Sequence, residues 1–391
     1  MDAFTFYSFF DYGETNYYYL FELANYSLIL LLSLFTLHRK LINLNSFVVL
    51  QFFFLTPFIF NYVLFDPRLF GDQYFYVIEA AHLRQNLAPM NLDGFTGWGQ
   101  TVTLTSAILG FLPIPAIVSV TSLAFSNKLL FLILFVWLAR YIPESRLIFI
   151  FLLPSLLLYT SLSLRDPLII FLSIFFLILT LQERKLLPII LLIPLIIIKP
   201  QNALYLSLFY ILVNFFRGSK SFVGITVFSF ISITVMILFE ERFLEIMNLY
   251  RVAFAQEDSI GGYGSFTDAQ IFQLEYQSFF GFLASSIYNS ISFLLMPFPW
   301  EARNLFYLLQ FFESVAIIAL IIYIVKRGQL YLSPKFASLS LSLIAGILMY
   351  SAIAFNEGTF VRYRFVLLFP YIISFLYLIY FERDDLANND L

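Results

Sequence analysis

Long runs of Leu, Ile and Phe, separated by short polar turns, recur along the whole chain. Most are long enough to cross a hydrocarbon core of about 30 Å, and basic turns help to orient them. A first span is expected over about residues 17–37, ended by His38-Arg39-Lys40, and a second over about 46–65. The stretch 101–112 is short and runs into Pro113 and Pro115, so it is expected to be re-entrant or interfacial. A full span follows over about 115–140 with Lys128 inside it; the alternative is two shorter helices split at Ser126-Asn127-Lys128.

Two hairpins come next. One covers about 147–181 with Ser161-Leu-Ser-Leu-Arg165-Asp166-Pro167 at its tip, and the other about 186–216 with Lys199-Pro200-Gln201-Asn202 at its tip. Pro167 suits the first turn of a helix, where its missing N–H costs nothing. An eighth span is expected over about 222–239. The run 279–296 is expected to re-enter partway, closed by Pro297-Phe298-Pro299-Trp300 as an interface anchor. Spans over about 304–325, 336–355 and 365–381 complete the chain. Asn356-Glu357-Gly358 and Arg362-Tyr363-Arg364 fall at the last outer turn, and a polar, frayed tail follows from Glu382.

The pattern predicts an all-α integral membrane protein with about 11 transmembrane helices, in a range of about 10–12. It reads as one polytopic domain over 1–391, with two long outer loops at 66–100 and 240–278. Lys and Arg number 22, and more of them fall on the inner side of this arrangement than on the outer. The bias is modest because several cations, Arg165, Lys199 and Arg364 among them, stand on the outer side.

Composition sharpens the class. Only 12% of residues are charged and 61% are hydrophobic, with mean hydropathy +0.86, against about 25% charged in soluble domains. The 51 Phe and 25 Tyr are mostly packing and lipid-facing bulk. A net charge of −3 with no basic tract gives no reason to expect nucleic acid. Without cysteine there is no disulfide or thiolate metal site, and two histidines do not make a His-rich one. The N-terminus has neither a charged n-region nor a small-residue cleavage site, so no removable signal peptide is expected.

Candidate chemistry gathers in the polar segments. In the first loop Asp72 follows Gly71 and precedes Tyr74, opening a helical stretch that carries Glu79 and His82 on one face. A carboxylate there suits a general base that takes a proton from an attacking hydroxyl; helix capping by Asp72 and a solvated face are the competing reading. Glu79 and His82 form a Glu-x-x-His pair without further metal ligands, so no metal site is assigned. Arg165 and Lys199 at the hairpin tips, with Arg251, Arg362 and Arg364, can form a cationic bowl, because guanidinium forks match phosphate oxygens. Snorkelling to lipid phosphate, or a structural pair such as Arg165 with Asp166, is the competing reading. Glu257-Asp258 beside Gly261-Gly262-Tyr263-Gly264 reads as a solvated loop or a mobile lid. Glu313 falls inside a span, where a carboxylate usually faces the bundle interior. The chain has no Walker motif and no Ser-His-Asp arrangement.

With an Asp near aromatics in an early outer loop, a Ser-x-x-x-Arg-Asp hairpin tip and a late Arg-Tyr-Arg, the layout resembles the GT-C class of polytopic glycosyltransferases. The outer arginines and Pro-Phe-Pro-Trp make it most similar to bacterial O-antigen and exopolysaccharide polymerases of the Wzy type. The resemblance implies a GT-C-like fold in the bacterial inner membrane with its active face in the periplasm. It implies transfer of a growing glycan from undecaprenyl pyrophosphate to the next lipid-linked repeat unit without nucleotide sugars; no cofactor is expected, and use of a divalent metal stays open. Partners would be undecaprenyl-linked glycans and membrane lipid, with a chain-length regulator and a flippase beside them. Arg165, Arg251 and Arg364 would match the pyrophosphate-gripping arginines and Asp72 the first-loop acid. The paired acidic motif of some GT-C relatives is missing from the first loop, and a soluble C-terminal domain like theirs is not expected. Remaining alternatives are a polyprenyl-phosphate-dependent transferase of single sugars, a lipid-linked oligosaccharide flippase or transporter, and a structural envelope subunit.

Overall fold

The computed structural model describes residues 16–65, 72–85, 99–215, 234, 237–258, 275–301, 305–327, 333–353 and 357–389. Every regular element among these residues is helical. The chain divides into two compact units, Met1–Leu172 with Ile193–Pro200, and Ser173–Leu192 with Gln201–Leu391. Four helices are long and apolar enough to cross a membrane, Tyr19–His38, Val120–Leu138, Pro334–Ile353 and Phe360–Tyr380, and one bent pair makes a fifth if counted as a single span. The remaining apolar helices are shorter.

The first unit begins with α1 (Asn16–His38) and α2 (Leu44–Ile59), which continues into a π-helical turn, Phe60–Leu64. α3 (Asp72–Arg84) and α4 (Gly99–Gly110) pack on each other. α5 (Val120–Leu138) starts at a reciprocal cap, with Ser119 Oγ accepting the Ser122 N–H while Ser122 Oγ accepts the Ser119 N–H. Two orphan donors are satisfied at once, which fixes where this apolar helix begins. α5 is unbroken through Ser126-Asn127-Lys128, so the split alternative does not occur.

The limb expected as one straight span after residue 147 is two short helices, α6 (Glu144–Phe151) and α7 (Pro154–Ser161), bent by 68°. Pro154 opens α7 and forces Leu153 into an extended conformation, φ −59° and ψ 132°, which ends α6. α8 (Asp166–Leu181) starts as expected with Pro167 in its first turn. Phe53, Phe131, Phe135 and Phe151 form a buried ring cluster that joins α2, α5 and α6, with centroids 5.0 Å to 6.2 Å apart. The Asn43 N–H donates to Glu144 Oε2 at 2.9 Å, which sets the turns before α2 and before α6 side by side.

α9 (Leu186–Ile198) and α10 (Pro200–Phe215) are separated by Lys199 alone. The second unit continues with α11 (Glu240–Asp258), α12 (Phe279–Leu295), α13 (Leu305–Arg327), α14 (Pro334–Ile353) and α15 (Glu357–Asn389). Here α12 packs on α14 and α15, and α14 on α15. Gly346 of α14 permits this closeness, since a Cβ there would stand 2.6 Å from Leu367 Cδ1 and 3.3 Å from Tyr205 Cδ1. Small residues let membrane helices approach where no hydrophobic force separates protein from lipid. Lys335 pairs with Glu183 at 3.5 Å, joining the turns before α14 and after α8.

Two expectations change. Arg362-Tyr363-Arg364 lies within α15, which starts at Glu357, and so is not in the turn. The polar tail continues that helix to Asn389. The run after Ser278 is an unbroken 17-residue helix, begun where Ser278 Oγ accepts the Gly281 N–H. The expected span 222–239 falls mostly outside the described residues, as do the first-loop stretches at 66–71 and 86–98 and the glycine run 261–264.

Candidate functional site

The first-loop acid opens a helix. Asp72 is the first residue of α3, whose inner side buries Gln73, Tyr74, Tyr76, Val77 and Glu79. Tyr74 is 2% exposed and Glu79 has no exposed surface, whereas Asp72 and His82 are half-buried. Glu79 Oε1 accepts the Thr103 hydroxyl at 2.9 Å, and Ser106 donates to the Tyr76 carbonyl at 3.0 Å. Thr103, Ser106 and Gly110 recur at helical spacing on the face of α4 that meets α3. A Cβ on Gly110 would stand 3.2 Å from Ala80 Cβ, so the two helices cross closely here. Arg84 closes the pair by donating Nε to the Gly110 carbonyl at 2.5 Å, Nη1 to Ile114 at 2.7 Å and Nη2 to Leu112 at 2.8 Å. The guanidinium fork thereby satisfies the carbonyl of the last α4 residue and two carbonyls of the turn that follows.

The hairpin tip is a buried loop, residues 162–165, gripped by polar side chains of three other segments. Asn61 Nδ2 donates to the Ser161 carbonyl at 2.9 Å, and Asn127 Nδ2 to the Leu162 carbonyl at 2.8 Å. Gln73 Oε1 accepts the Ser163 N–H at 2.8 Å, and Ser163 Oγ donates to the Val120 carbonyl. Non-helical backbone inside a membrane bundle persists only when its polar groups are satisfied this way. Arg165 ends the loop, half-buried, with Nη1 3.4 Å from the Ile198 carbonyl; Lys199 follows directly and is 3% exposed. Thr101 donates to the neighbouring Ile197 carbonyl at 3.1 Å. Gln73, between Asp72 and Tyr74, thus ties α3 to the loop that Arg165 ends, and α4 bonds both Glu79 and the Ile197 carbonyl two residues before Lys199.

A second cluster occupies one end of the second unit. Arg251 lies over the Tyr276 ring, 4.5 Å from its centroid. Three residues earlier on α11, Asn248 clamps the Tyr276 main chain, accepting its N–H at 2.8 Å and donating to its carbonyl at 3.0 Å. The Tyr276 hydroxyl donates to the Ala352 carbonyl at 3.0 Å, which ties α11 to the end of α14. Burial pushes the Tyr276 phenol above its ordinary range, and the Arg251 charge pulls partly against that. Arg364 is 4% exposed and its Nη1 donates to the Phe293, Leu294 and Met296 carbonyls at 3.3 Å, 3.0 Å and 2.6 Å. It caps α12. Arg362 is half-buried, and Tyr363 packs 5.2 Å from Tyr350, whose hydroxyl donates to Asn202.

The structure brings the acid helix and the Arg165–Lys199 pair together in the first unit and places Arg251 and Arg364 in the second. Sequence reasoning missed Asn61, Gln73 and Asn127, the amides that hold the loop, and Arg84 and Asn248. The only signal available was that these amides sit within or beside apolar runs, where an unsatisfied amide is costly. Glu313, expected to face the interior, is buried at 6% exposure in α13. No protein-family model, curated protein or solved structure matches this chain.

Proposed function

We propose that this chain is an inner-membrane glycan polymerase of about 11 spans and GT-C-like layout, acting at the periplasmic face. One observation carries the reading. The Gln73–Ser163 hydrogen bond joins the start of the acid-bearing helix to the loop that presents Arg165 beside Lys199. A carboxylate for proton removal and two cations for a phosphate leaving group thus share one neighbourhood.

In this reading the acceptor hydroxyl of a lipid-linked repeat unit attacks the anomeric carbon of the donor glycan. The bond from that carbon to undecaprenyl pyrophosphate breaks, and the pyrophosphate leaves with the electron pair. Arg165 and Lys199 stabilise its charge, the dominant electrostatic contribution in such transfers. Asp72 takes the proton, with Glu79 and His82 further along the same helix. Tyr74 shapes the wall beside Asp72. Arg251, Arg362 and Arg364 support the second unit's outer end, the first and last through the contacts to Tyr276 and α12.

The test is glycan length in a strain that depends on this gene for its surface polysaccharide. Arg165→Ala and Asp72→Asn, at wild-type protein levels, are expected to lose the ladder and leave single repeat units on lipid. Full-length ladders from both would overturn the reading. Transfer of one sugar from a polyprenyl monophosphate would instead identify a single-sugar transferase.

A further inference from the structure

Lys128 stands in the middle of an apolar helix with no exposed surface. Its Nζ is 2.8 Å from Thr56 Oγ1, 2.7 Å from Thr160 Oγ1 and 3.7 Å from the centroid of the Phe53 ring. Each hydroxyl has another acceptor for its proton, Thr56 the Phe53 carbonyl at 2.7 Å or Ser161 Oγ at 2.6 Å, and Thr160 the Leu156 carbonyl at 2.6 Å. Both oxygens therefore face Nζ as acceptors. The third partner is the electron-rich face of an aromatic ring, which attracts an N–H and repels a lone pair. Three acceptors around one nitrogen fit the three donors of an ammonium. A neutral amine would turn its lone pair onto the ring.

Among the described residues no carboxylate lies within ion-pairing distance of this nitrogen. A lone buried cation is costly, and an apolar side chain of similar size would be more stable there. Its position accounts for that cost. Thr160 adjoins Ser161, and Thr56 Oγ1 is 2.6 Å from Ser161 Oγ, so the ammonium sits directly behind the loop held by Asn61, Asn127 and Gln73.

We propose that Lys128 is a positioning residue whose fixed charge, acting across the buried 162–165 loop, favours a pyrophosphate group held at Arg165, the half-buried end of that loop. The inference rests on the reading of that loop as the phosphate-binding element. Lys128 touches no ligand; it raises the potential across protein of low dielectric. The anion is a pyrophosphate, either free or as the headgroup of a prenyl lipid.

The experiment measures binding of inorganic pyrophosphate and of farnesyl pyrophosphate to the purified full chain in neutral detergent, with thermal unfolding followed in parallel. Lys128→Met removes the charge and keeps the bulk; Lys128→Gln also keeps donors for the two threonines. Both are expected to fold at least as stably as wild type and to bind about tenfold more weakly, the scale of one charge acting across low-dielectric protein. Wild-type binding of farnesyl pyrophosphate alone marks a lipid headgroup as the ligand, and binding of both probes marks the pyrophosphate itself. Wild-type affinity in both Lys128 variants, with binding lost in Arg165→Ala, overturns the role of Lys128 and leaves the loop reading intact. Failure of both variants to fold also overturns it, because the lysine would then be structural. No binding of either probe by wild type overturns the loop reading and this inference together.

Discussion

Gln73 Oε1 accepts the main-chain N–H of Ser163 at 2.8 Å, with both residues fully buried. The bond spans 90 residues of sequence and satisfies a loop N–H that water cannot reach. Gln73→Leu leaves that donor orphaned, at about 1–3 kcal/mol. The expected outcome is a lower unfolding temperature in detergent together with loss of glycan extension. A variant with wild-type stability and activity would show that the loop is held without it.

Arg84 is a structural arginine despite its place in the candidate active loop. Its five donors make three short bonds, one to the last carbonyl of α4 and two to the turn that follows. Charge-assisted bonds of this kind contribute about 1.5–3 kcal/mol each, so Arg84→Ala should unfold α4 from α3 and destabilise the first unit. Arg84→Lys should rescue little, because a single ammonium does not match the fork. Unfolding temperature and protease sensitivity read this directly.

Arg364→Ala should behave likewise in the second unit, exposing the C-terminal carbonyls of α12. The same variant therefore loses activity through loss of folded protein, whereas Arg165→Ala should lose it at wild-type stability. Measuring both quantities for both variants separates a cap from a binding group.

Tyr276 gives the second unit an alkaline limit. Burial raises its phenol above the ordinary value of 10.0, so ionisation is easier in the unfolded chain than in the folded one. The stability it contributes is present below about pH 10 and declines as pH rises through that value. Tyr276→Phe keeps the ring under Arg251 and removes the titrating group. Its unfolding temperature should start lower, for loss of the bond to Ala352, and fall less between about pH 9 and 11 than that of wild type.

Hydropathy alone located α1, α13 and α14 closely, because each is a long apolar run between polar turns. It did not find the bend at Leu152-Leu153, where the apolar pattern continues and only Pro154 marks the break. Lys128 raised the question of a split helix. Sequence could not answer it, because the threonines that bond the lysine come from α2 and α7. Arg165 and Arg364 look alike as cations beside a membrane helix. They differ only in what faces them, and the carbonyls that occupy Arg364 belong to residues about 70 positions earlier in the chain. Charge type was legible; commitment of that charge was a matter of tertiary contact.

The decisive measurement uses the purified full chain in lipid vesicles, supplied with undecaprenyl-pyrophosphate-linked repeat units. A lipid-linked product two repeats long is expected first, then longer ladders. One molecule of free undecaprenyl pyrophosphate should be released for each bond made, and both signals should be absent in Arg165→Ala. Repeat units that stay single while free undecaprenyl pyrophosphate fails to accumulate would contradict the polymerase reading.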